Sequence, residues 1–170
     1  MKAAVLLNDS EKLKIISNIE LPSLERGQVL VQLAYSGVCH SQLMETRGFR
    51  GEDKYIPHLL GHEGSGKVVA IGPEVTKVKA GNFVILGWIK GKGIEAGGVK
   101  YSCNCYPKTI NAGAVTTFND YAIVSENRVT ILPKGIPLDI AVLFGCALPT
   151  GIGIVMNELK PINNSTIAIF

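Results

Sequence analysis

Along most of the chain the apolar residues come in short runs separated by turn formers, which predicts strands rather than long helices. Residues 2–7 and 12–19 are β-like runs on either side of an Asn8-Asp9-Ser10 turn. A further strand, 29–35, is set off by Arg26-Gly27 and broken by Ser36-Gly37. Residues 39–45 then predict a short helix and 47–54 a loop. The β pattern resumes at 67–72 and 83–86, and 118–124 with 128–132 complete the sheet. Between them, 89–113 is glycine-rich without a clear period and predicts a loop. Pro133 and Pro137 punctuate the approach to a helical region, 138–159, and 165–170 reads as a final buried strand. No internal repeat is present. Many short strands followed by one helical stretch predict a mainly β (α+β) fold. The expected architecture is a partly open barrel with a few short helices and a C-terminal helix plus strand.

Composition narrows this picture. At 170 residues, 46% hydrophobic and 18% charged, the chain is the size of one domain with a substantial core. The net charge is only +3, and the basic run at 90–100 is diluted by glycine and lacks an aromatic ladder. No nucleic-acid partner is expected. The first apolar run is too short for a signal peptide before it meets Asp9. Residues 140–157 are uncharged and near membrane length. Because they contain Gly145, Cys146, Pro149, Gly151 and Gly153, they predict a buried helix reached through an irregular turn, and no membrane partner. The four cysteines are irregularly spaced, so reduced thiols in a cytoplasmic protein are expected.

Cys39, His62 and Cys146 could supply two thiolates and one imidazole, a donor set that suits zinc with a fourth position left open. Buried structural cysteines and a satisfied histidine account for the same three residues, so composition leaves both readings standing. The local words are more specific. Gly37-Val38-Cys39-His40-Ser41, Gly61-His62-Glu63-Gly64-Ser65-Gly66-Lys67-Val68 and Gly145-Cys146-Ala147-Leu148-Pro149-Thr150-Gly151 closely resemble the zinc-dependent medium-chain alcohol dehydrogenases. The resemblance runs from Met1 to Phe170 and covers the GroES-like catalytic domain, residues 1–150. It continues into a crossover helix and first strand, 151–170, that would lead into a Rossmann domain.

The resemblance implies an oxidoreductase that converts a small alcohol to an aldehyde or ketone with NAD(P). By position, Cys39, His62 and Cys146 look like the ligands of one catalytic zinc. Glu63 matches a glutamate that can approach the metal during ligand exchange. Ser41 matches the hydroxyl that receives the substrate proton. His40 matches a coenzyme pyrophosphate contact, Thr150 a residue beside the nicotinamide, and Trp88 an aromatic wall of the substrate pocket. Plainer roles stay open: Ser41 as a helix cap, Thr150 as a first-turn hydroxyl, Trp88 as core, Glu63 as a salt-bridge partner.

Three departures from the family pattern stand out. Gln42 replaces the aspartate that orients the zinc-bound histidine in many relatives, which should weaken support of the metal. Met44 replaces a relay histidine, leaving water or His40 to carry the proton. Only Cys103 and Cys105 lie where relatives with a structural zinc carry four cysteines, so no structural zinc is expected and both should be free thiols. Gly91-Lys92-Gly93 and Gly151-Ile152-Gly153 lack the strand–turn–helix setting of a dinucleotide site. The chain is therefore expected to need a coenzyme domain from elsewhere, to be inactive alone, and to self-associate through its exposed C-terminal segment. The alternative is a non-catalytic zinc-binding, or metal-free oligomeric, β-domain.

Overall fold

The computed structural model describes residues 1–8, 11–104 and 106–169. Ten strands are formed: β1 (Ala3–Leu6), β2 (Lys14–Ile16), β3 (Gln28–Ser36), β4 (His58–Leu59), β5 (Gly64–Ile71), β6 (Phe83–Leu86), β7 (Val99–Cys103), β8 (Tyr106–Ala112), β9 (Tyr121–Ser125) and β10 (Val129–Ile131). They make two five-stranded sheets, in the orders β2-β1-β4-β8-β7 and β10-β6-β5-β3-β9. Pairing is antiparallel except between β4 and β8. The helices are α1 (His40–Thr46), α2 (Leu138–Ala141) and α3 (Ala147–Gly153), with 3-10 turns at Glu126–Arg128 and Val142–Gly145. The β-rich expectation is realised.

Alternation explains how the sheets hold together. β7 buries Val99, Tyr101 and Cys103 and exposes Lys100 and Ser102, as a half-buried strand should. Its inward residues join Val5, Leu59, Ile110 and Ile123 in one core cluster, so strands of both sheets share a single interior. Tyr101 Oη accepts the Ile123 N–H at 3.1 Å, and the Ala4 N–H donates to Phe118 O at 2.8 Å, which ties one sheet to the other. A second cluster, including Val29, Val31, Val68, Val84, Leu86 and Val124, fills the other sheet. β3 pairs with both β5 and β9, and its register with β5 shifts at Leu30/Val31 and again at Leu33/Tyr35. Such bulges bend a strand and raise its twist, which helps the sheet curl.

A buried carboxylate organises the loops beside this core. Glu126 is 1% exposed, and its two oxygens accept N–H groups from Thr76, Lys77 and Ile94 at 2.7–2.8 Å. Burial opposes its ionisation, but those three donors prevail and hold its pKa below the ordinary value.

Three expectations need correction. Residues 89–113 are not a loop throughout, because β7 and β8 form a hairpin there. Cys103, at the end of β7, is disulfide-bonded rather than a free thiol, and so offers no thiolate; Cys105 lies outside the described residues. At the C-terminal end, α3 passes into a π-helical continuation, Ile154–Leu159, and neither segment buries a residue. The expected strand is not formed: 160–169 has no regular pairing and is exposed, and Phe170 lies outside the described residues. A strand exists only through hydrogen bonds to a neighbour, and no strand of the described chain lies beside this one. Among the described residues no single helix is long and apolar enough to cross a membrane; Leu138–Gly145 and Ala147–Leu159 are bent by 53° at Cys146.

Candidate metal centre

Three elements bring the metal-type donors together. Cys39 caps the N-terminus of α1, where the chain leaves β3. His62 sits between β4 and β5. It follows Gly61, whose φ of +88° suits glycine and whose missing side chain leaves room for Thr117 and Phe118. Cys146 occupies the break between the 3-10 turn Val142–Gly145 and α3, with φ −149° and ψ −59°. The thiol of Cys39, a ring nitrogen of His62 and the thiol of Cys146 all lie within 4.8 Å of one another. His62 Nε2 is 3.2 Å from Cys146 Sγ, and the two sulfurs are 4.0 Å apart.

Glu63 fixes the third donor. It is 3% exposed, and its Oε1 accepts the N–H groups of Cys146 at 3.2 Å and Ala147 at 3.0 Å. A side chain at Gly37 would collide with the same carboxylate, so glycine there lets Glu63 approach the backbone of the first motif. The carboxylate clamps the turn that carries Cys146. Ser65 adds a second clamp by donating to Leu138 O at 2.6 Å.

Electrostatics divides the two thiols. The Ser41 hydroxyl, aided by its backbone N–H, holds the Cys39 thiol below its ordinary pKa. Burial pushes Cys146 up, and the neighbouring Cys39 sulfur adds to that. Cys39 is thus the first of the pair to ionise. Burial also lowers His62, which favours a neutral ring. Ser41 Oγ is buried beside the Cys39 thiol.

Gln42, 5% exposed, touches two of the three donors. Its Oε1 accepts the Cys39 N–H at 3.0 Å, closing a capping box, and its Nε2 lies 2.5 Å from His62 Nδ1. The remaining predicted site residues stand around this centre. Thr150 is exposed, with its Oγ1 4.0 Å from Cys146 Sγ. His40 is exposed at the start of α1. Trp88 is 49% exposed in the loop after β6, and Arg128 donates to its carbonyl.

Sequence reasoning missed a neighbouring cluster, Glu45, Asp53 and His58, whose donor atoms also lie within 4.8 Å of one another. It lines a cavity of about 460 Å³ that Gln42 and His62 share. The only signal available was the Asp53-x-Tyr55 turn, in which Asp53 Oδ1 accepts the Tyr55 N–H at 2.8 Å.

By kind and spacing, the donors Cys39, His62 and Cys146 fit zinc: two soft sulfurs and one imidazole. Fold and site together define a β-domain carrying two cysteines and one histidine whose donor atoms could hold a metal ion. Residues 25–134 match the alcohol dehydrogenase GroES-like domain, and the chain belongs to that family. It is 31% identical to an alcohol dehydrogenase class-3 of Dictyostelium discoideum, covering 99% of this chain and 50% of that protein. It is 30% identical to an S-(hydroxymethyl)glutathione dehydrogenase of Paracoccus denitrificans, covering 94% and 48% respectively. Among solved structures, an alcohol dehydrogenase zinc-binding domain protein from Burkholderia ambifaria superposes with a TM-score of 0.78 at 26% identity. That match covers 94% of this chain and 49% of the other. The chain spans about half the length of the curated relatives it matches.

Proposed function

We propose that this chain is the metal-holding, substrate-side part of a zinc-dependent alcohol dehydrogenase, oxidising a small alcohol to an aldehyde or ketone with NAD(P) bound alongside. The observation that carries the reading is the convergence of Cys39, His62 and Cys146, drawn from three separate elements, within 4.8 Å. These residues would hold one zinc, which acts as a Lewis acid and lowers the pKa of an alcohol oxygen. Ser41, whose hydroxyl lies beside the Cys39 thiol, is assigned to accept the substrate proton. With Met44 where some relatives have histidine, that proton leaves by water or by exposed His40. Glu63 holds Cys146 in position by accepting the Cys146 and Ala147 amides. Thr150, beside Cys146, is assigned to the nicotinamide, His40 to the coenzyme pyrophosphate, and Trp88 to the substrate wall.

Elemental analysis of purified, chelator-free protein tests the metal. About one zinc per chain supports the reading, and none overturns it. Reduction of a simple aldehyde by NAD(P)H then separates an enzyme domain from a non-catalytic zinc-binding one. The second reading, an oligomeric β-domain, is favoured by one observation: Ile140, Phe144, Ile152, Met156, Ile162 and Ile169 are all exposed near the C-terminus. We assign that surface to a second copy of the chain. Sedimentation should show a dimer or larger that Met156→Glu weakens; a monomer at micromolar concentration removes this reading.

A further inference from the structure

We infer that Gln42 holds His62 in the tautomer that cannot ligate a metal, so that metal uptake requires the Gln42 amide to turn over and release its cap on Cys39. The inference rests on the zinc reading above and sharpens it.

The backbone N–H of Cys39 can only donate, and its partner is a Gln42 side-chain atom at 3.0 Å. That atom must be the amide oxygen, because an NH₂ group accepts nothing there. The opposite end of the same amide, 2.5 Å from His62 Nδ1, is therefore the NH₂. It has a hydrogen to give and no lone pair to offer, so Nδ1 must be the acceptor and carry no hydrogen. The single hydrogen of the neutral ring then sits on Nε2, which lies 3.2 Å from Cys146 Sγ. Three donations run one way: Cys39 N–H to Gln42, Gln42 NH₂ to His62, and His62 Nε2–H to the Cys146 sulfur. Without a metal, each of these groups is satisfied.

A metal needs the Nε2 lone pair, so Nε2 must lose its hydrogen while Nδ1 gains one. Nδ1–H would then point at the Gln42 NH₂, donor against donor. Turning the amide by about half a revolution presents Oε1 to Nδ1–H, but sets the NH₂ against the Cys39 N–H. One acceptor oxygen cannot serve both ends of this bridge. A carboxylate of the same length can, because both of its terminal atoms accept. Gln42 thus acts as a positioning residue that favours the metal-free arrangement.

Two measurements test this. The first is the ¹⁵N spectrum of metal-free protein, in which the ring nitrogens of only three histidines need assignment. The wild type should show His62 as the Nε2–H tautomer, and Gln42→Glu should show it as Nδ1–H. The second is zinc affinity by competition with a chelator. Gln42→Glu should bind zinc on the order of 10- to 100-fold more tightly, the range typical of partners that orient a ligating histidine. A wild-type His62 already in the Nδ1–H form, or equal affinities in the two proteins, overturns the inference. Zinc on neither protein, with wild-type His62 still in the Nε2–H form, overturns the metal reading instead.

Discussion

His58 and His62 lie four positions apart, and each sits among two further donor side chains within 4.8 Å. Their surroundings differ in what the ring nitrogens face. Around His58 both nitrogens meet oxygen acceptors: Nδ1 is 2.9 Å from Leu59 O and Nε2 is 2.8 Å from Asp53 Oδ2, with Glu45 at 3.9 Å. Oxygen atoms thus flank that ring at both nitrogens, and no sulfur lies in its cluster. Around His62 one nitrogen meets an amide donor and the other a sulfur. Closeness of three donor groups is therefore not what makes a metal centre. What matters is whether the companions are soft thiols or hard carboxylates.

The largest expected effect comes from removing a soft ligand. Cys146→Ser should take bound zinc from about one per chain to background, whereas Glu45→Gln should leave zinc content unchanged. Elemental analysis of the two variants side by side reads this directly, and loss of zinc from both would break the comparison. A smaller effect is expected where a carboxylate faces only donors. Glu126→Gln should cost about 2–3 kcal/mol near neutral pH, since it weakens three buried N–H contacts to a charged acceptor. Because the folded-state pKa of Glu126 lies below its ordinary 4.5, its charge stabilises the fold fully above that value. The benefit is lost as pH falls through the lower folded-state value. Urea titrations should accordingly show the gap between wild type and Glu126→Gln closing below about pH 4.5.

Asp53→Asn should cost about 2 kcal/mol by removing the anionic acceptor of His58. Arg26→Ala breaks the Arg26–Glu74 pair, whose N–O separation is also 2.8 Å but whose side chains are 64% and 60% exposed. It should change stability by less than about 0.5 kcal/mol. If these two substitutions cost the same, burial is not what distinguishes the His58 pair.

Much of this was legible in the chain, unevenly and for physical reasons. β6 falls on its apolar run, 83–86, residue for residue. β7 was hidden although its sequence alternates with period two, because the preceding glycines outweighed five residues of pattern. β4, two residues long, is too short to leave any period. The apolar stretch 165–169 has strand propensity yet forms none, since propensity cannot substitute for a neighbour. At the site, Cys39, His62 and Cys146 came with their motifs, and Gln42 was visible as an odd residue. Its two simultaneous contacts were not, because they depend on where β5 places His62 relative to α1. Nor was the grip of Glu63 on the Cys146 turn, which depends on packing across 83 positions.

The sulfurs of Cys39 and Cys146, 4.0 Å apart in space, are separated by 107 positions in the chain. A ribosome making this protein has therefore released one thiol and the imidazole long before the second thiol exists. Neither early group can close the site by itself, and the intervening sheets must be paired before Cys146 reaches its place. A metal held by all three groups would in consequence be captured late in synthesis. A zinc-sensitive probe added during translation would time the completion of the domain, not the folding of any one segment.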